Sequence, residues 1–180
     1  MLSFLIKKKI SEQQVASHFV NAAIQMVEES WVDVAELINN EPEFERSPNI
    51  SAEDYDRFML IVIAGNLLYI PKHFNDYQDV RLTDSILNKL AEAFGLPKDK
   101  LKETISNYQK FFSKINHPSK NVHYAMSKAV FFKYNLNEFQ DEYFRNMNTP
   151  NPIFLNHMNE IIGNFIWDWQ SIQSDYKIVS

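Results

Sequence analysis

A chain of 180 residues without cysteine is the size of one domain, and it excludes disulfides, cysteine-bound zinc, iron–sulfur clusters and thiol catalysis. Hydrophobic residues make up 45%, with 14 Phe, 8 Tyr and 3 Trp, a balance that builds a packed core, while only Gly65, Gly95 and Gly163 are present, too few for a glycine-rich phosphate loop. The net charge of −5 is concentrated: residues 11–60 carry eleven acidic side chains against Arg46 and Arg57, and no helix presents the basic face that nucleic acid needs.

The chain opens with MLSFLIKKKI, an apolar run from Leu2 to Ile6 followed by Lys7, Lys8 and Lys9. A secretory signal places its charges before a longer apolar stretch, and there is neither a second-position glycine nor a cysteine to carry a lipid. Near an anionic membrane each lysine contributes about 1 kcal/mol, so residues 1–9 are expected to give no more than weak, reversible contact. Leu2 to Ile6 is expected to dock on the core, with residues 1–10 leading into the first helix. Ile10, Ser11, Gln14 and Val15 stand as staple, cap, box partner and staple partner of a helix entrance.

That first helix has Val15, Phe19, Ala22 and Met26 on one stripe, with Ala16, Val20, Ala23 and Val27 beside it. WVDVAELINN reads as a second, shorter helix, and EPEFERSPN, with Pro42 and Pro48, as a loop. The next helix is expected from about Ser51, where Asp54 repeats the capping pattern, to Ile70 before Pro71. Its run FMLIVIAGNLLYI falls short of the roughly 20 apolar residues of a bilayer span and predicts a central core helix.

PKHFNDYQDVRL reads as a turn or short helix. TDSILNKLAEAFG then places Ile86, Leu90 and Phe94 on a stripe, with Gly95 as C-terminal cap. From Pro97 the spacing of Leu101, Ile105, Tyr108, Phe112 and Ile115 predicts another helix, which HPS ends. Ser119 is expected to cap a helix to about Tyr134, and Asn137 one to about Met147. After TPNP, a last helix over 152–174 carries Met158, Ile162, Phe165, Trp169 and Ile172, followed by a tail at 177–180. The expected fold is therefore all-α: one bundle of about seven to nine helices over residues 11–176, around two central apolar helices at about 51–70 and 152–174.

IAGNLLYI (63–70) and IIGNFIWD (161–168) echo one another within those central helices. Glycine in a helix interior costs roughly 0.5–1 kcal/mol relative to alanine, so Gly65, Asn66, Gly163 and Asn164 are expected to mark either a close helix contact or a shared pocket.

The five histidines, at 18, 73, 117, 123 and 157, form neither Glu-x-x-His nor His-Glu-x-x-His. His157 and Glu160, at i, i+3, are the weak metal candidates, and no metal or cofactor is expected. Glu53, Asp54 and Asp56 stand at a helix start, where negative charge is favourable for structural reasons. No Gly-x-Ser-x-Gly elbow occurs.

The remaining clue is the acidic stretch Glu28 to Asp56, in which Glu36, Glu41, Glu43, Glu45, Asp54 and Asp56 are expected to form a negative edge suited to a basic protein partner. The leading expectation is a cytoplasmic protein-interaction, adaptor or inhibitor-type module. A helical small-molecule, haem or lipid binder, with His18, His73 or His123 as axial ligand, comes second, and an enzyme third.

Overall fold

The computed structural model describes residues 6–180. Ser11 opens the first helix as its side chain predicts: its Oγ accepts from Gln14 N at 3.1 Å, and Gln14 Oε1 accepts from Ser11 N at 2.9 Å. Two amides that the helix cannot pair internally are thereby satisfied. α1 then runs unbroken from Glu12 to Asn39. The second helix expected at Trp31 is its continuation, because Val27, Trp31, Val34 and Ile38 extend one buried stripe. At its end the Asn39 amide holds both backbone groups of Ile50, at 2.7 and 2.9 Å, and so closes the loop that follows.

α2 spans Asp56–His73 rather than 51–70. Ser51 lies outside the helix because its carbonyl accepts from Trp31 Nε1 at 3.1 Å and from Asp54 N. Pro71 does not stop α2: it forgoes one helical bond, near the end, and the chain makes one further turn. Ile61, Val62, Ile63 and Ala64 are all fully buried, so this helix is apolar on every side and runs through the core. α3 (Gln78–Phe94) ends on Gly95, whose φ of 63° admits the left-handed cap.

α4 (Lys98–Asn116) leads to α5 (Val122–Lys133), whose cap is Asn121 rather than Ser119. Ser119 Oγ instead accepts from Asn121 N. The helix expected over 137–147 is a 3-10 turn, Leu136–Phe139, followed by α6 (Glu142–Met147). Between them sits Gln140, fully buried, with its side-chain amide bound to Asn137, Thr149 and Asn151.

The single helix expected over 152–174 is divided into α7 (Pro152–Gly163) and α8 (Trp169–Asp175). The reason is Asn66: its Nδ2 donates to Phe165 O at 2.9 Å and its Oδ1 accepts from Trp167 N at 2.8 Å. Backbone groups that a continuous helix would pair internally are bound by α2 instead.

Among the described residues the all-α bundle therefore contains eight helices and is 70% helical. It also contains two strands that the sequence did not announce. β1 (Lys8–Ser11) and β2 (Tyr176–Val179) pair in parallel, with Lys8 opposite Tyr176 and Ser11 opposite Val179. Residues 177–179, expected as a tail, belong to β2, and Ile10 and Ile178 pack against the core. The docking expected of Leu2 to Ile6 lies outside the described residues apart from Ile6, whose side chain is 93% exposed.

Candidate functional site

The acidic edge is mostly spoken for. Glu41 is buried, and its Oε2 lies 3.1 Å from His157 Nδ1; Glu43 Oε2 accepts from Asn151 Nδ2 at 2.8 Å. Glu45 pairs with Arg145 at 3.6 Å, and Asp54 with Arg57. These four carboxylates tie the loop after α1 to the rest of the fold. Glu28, Glu36 and Asp56 have no salt-bridge partner among the described residues. The negative charge without a salt bridge among the described residues is consequently on α1, at exposed Glu53 in the loop before α2, and at the first residue of α2, with exposed Val32 and Leu37 interspersed along α1.

Glu28 and Asp56 both line a cleft of about 410 Å³. Its floor is built from two elements: Met59, one turn into α2, and Leu101, one turn into α4, both buried. Leu60 and Phe94 form half-buried walls, and Tyr55 and Thr104 also line the space, the Thr104 hydroxyl donating to Lys100 O at 2.9 Å. Gly95 reverses the chain after α3 and sets Leu96 at the mouth, 43% exposed. An apolar cavity edged by two carboxylates has the chemistry to take a hydrophobic group joined to a cation.

The echo of Gly-Asn does not converge on a pocket. Gly65 is the seat of Met126, whose fully buried side chain would overlap a Cβ placed there. Gly163 is the last residue of α7, where an added Cβ would meet only the His123 ring, at 3.5 Å. Asn66 is spent on the α7–α8 break, while Asn164 is exposed and its Nδ2 donates to Glu160 O. Helical position, rather than the shared octet, decides what each residue does.

His157 meets Glu41 and not Glu160, and no cluster of three or more metal-capable side chains occurs among the described residues. Of the proposed axial histidines, His18 is exposed and His73 half-buried, and His123 places Nε2 2.6 Å from Asn159 O. No helix of the described residues is long and apolar enough to cross a membrane.

The shifted titrations belong to the scaffold. Arg81, bonded to Glu12 at 2.8 to 3.2 Å, holds its carboxyl below the ordinary value near 4.5. Burial raises Tyr134, Tyr108 and Tyr69. Tyr134 stacks on Trp31 and donates to Asp54 O at 2.8 Å while accepting from Phe58 N at 3.1 Å, which fixes the chain entering α2 and with it Tyr55 and Asp56.

No family model, curated protein or solved structure matches this chain. The cleft was legible in the sequence only in part. Glu28 and Asp56 bound the acidic stretch and Leu96 stands out as an apolar residue beyond a helix cap, but their meeting depends on how α1, α2 and α4 pack.

Proposed function

We propose that this protein is a cytoplasmic interaction module that binds a basic segment of a partner protein, seating an apolar side chain of that segment in the cleft between α1, α2 and α4. The observation that supports this reading is the pairing of an apolar floor with two carboxylates, Glu28 and Asp56, that have no salt-bridge partner among the described residues. Long-range attraction by such charges raises association rates, while the buried anchor sets the lifetime of the complex.

Partners captured by crosslinking from native lysate should include a protein that associates more slowly as salt rises. Glu28→Lys together with Asp56→Lys should slow its association, and Leu96→Asp should shorten its residence. A partner whose capture is indifferent to all three substitutions would refute the assignment. The cleft's volume also falls within the range of about 300–1,000 Å³ typical of small-molecule sites, which favours a cationic amphiphile as a second reading. Native mass spectrometry of protein purified under mild conditions separates the two, since only the second yields a stoichiometric mass increment.

A further inference from the structure

Ile6 is the most exposed large apolar side chain among the described residues, at 93%. Lys7, Lys8 and Lys9 follow it, all exposed and none in a salt bridge among the described residues. Lys7 is tied to its own chain, its Nζ donating to Gln173 O at 2.8 Å. Lys8 and Lys9 stand on β1, where the strand pair sets Lys9 directly opposite Lys177, a juxtaposition of like charges that is destabilising until an anion answers it. Ile6 and Lys8 lie at most about 7 Å apart along the backbone, so an apolar side chain and a cation can enter one site together.

The same chain carries the complement. The cleft between α1, α2 and α4 has an apolar floor of Met59 and Leu101, edged by the carboxylates of Glu28 and Asp56, which also have no salt-bridge partner among the described residues. The two do not meet within one copy: Ile6 is open to solvent and does not line the cleft, which lies beside Glu28, about 24 Å along α1 from Glu12, the residue that follows β1.

We infer that the cleft of one copy receives residues 6–9 of a second copy, with Ile6 seated on the apolar floor and Lys8 and Lys9 facing Glu28 and Asp56; this rests on the cleft's being a seat for an apolar–basic segment. Because donor and acceptor are different patches, the contact is head-to-tail and repeats from copy to copy unless it closes into a ring. A cleft filled in this way is closed to other basic segments, so self-assembly competes with partner capture.

Sedimentation velocity of the full chain over micromolar to millimolar concentrations tests this. The parent should rise in average mass with concentration, while Ile6→Asp, and separately Glu28→Lys with Asp56→Lys, should remain monomeric. All three positions are exposed, so none of the changes disturbs the core. An equimolar mixture of the two variants, one retaining the segment and the other the cleft, should form a dimer and go no further. A parent that stays monomeric, assembly that survives either change, or a mixture that stays monomeric overturns the inference. A monomeric parent that binds phosphatidylserine vesicles through Ile6 gives the segment to a membrane and equally overturns it. If a monomeric parent nonetheless has a lysate partner whose association is slowed by Glu28→Lys with Asp56→Lys, self-docking fails and the cleft's reading stands, so the two fail separately.

Discussion

Met126 occupies the space that any side chain at Gly65 would need, and with Met126 fully buried it has little room to retreat. Gly65→Ala is accordingly expected to destabilise by about 1–3 kcal/mol through overpacking, read from urea denaturation. Met126→Ala on its own should also destabilise, by opening a cavity, yet combined with Gly65→Ala the losses should fall well short of their sum. Gly163→Ala should be neutral or stabilise by up to about 1 kcal/mol, because the site is exposed and the added methyl makes ordinary contact. An equal loss at both glycines would show that the shared octet carries a common role after all. Ser11 and Gly95 are legible in the sequence because a cap acts within one turn of chain. Gly65 and Gly163 are not distinguishable there, because what separates them is Met126, sixty-one residues from one and held against it by the packing of α5 on α2.

Helix boundaries depart from the local pattern wherever a side chain from another element claims backbone groups. Ser51 has the residue type of an α2 cap but is a partner of Trp31, and the apolar stripe over 152–174 is opened by Asn66. Both stripes are visible in the sequence, since periodicity follows burial, whereas a break imposed from about 100 residues away leaves no local trace. Asn66→Leu keeps the volume and removes both bonds, so Phe165 O and Trp167 N lose their partner. A loss above about 2 kcal/mol is expected, with faster hydrogen exchange confined at first to residues 164–168. Unchanged exchange in that segment would mean that the break is held by something other than the amide. The strands escape for a simpler reason: four residues of KKIS or YKIV are too short for alternation to register against the chain's helical background.

On the scale of the whole molecule, the acid stability is set by charge. Glu12, 5% exposed and bonded to Arg81 and Gln78, joins the first turn of α1 to α3. Its folded-state pKa is depressed, so its contribution is complete above the unfolded value near 4.5 and is lost as pH falls through the lower folded value. Glu12→Gln should flatten the decline of the urea midpoint over that acidic interval and leave its shape near neutrality unchanged. An undiminished decline would assign acid sensitivity to other carboxylates. The compositional excess of acid in residues 11–60 is legible, but its division into internal ties and free charge is not, because Glu43 and Asn151, or Glu45 and Arg145, are about a hundred residues apart.

Because β1 and β2 run in the same direction, the chain enters the pair at one end, beside Asp175, and leaves it at the other, beside Glu12. Tension applied between residues 6 and 180 therefore pulls along the strands, so that the bonds between them share the load and must fail together. With tension between residues 6 and 175, both handles lie at one end and the bonds break in succession. The absence of native cysteine makes Ile6→Cys, Asp175→Cys and Ser180→Cys unique points for attaching handles. Single-molecule stretching should show the higher rupture force in the first geometry; equal forces would mean that the strand pair does not set the molecule's mechanical resistance.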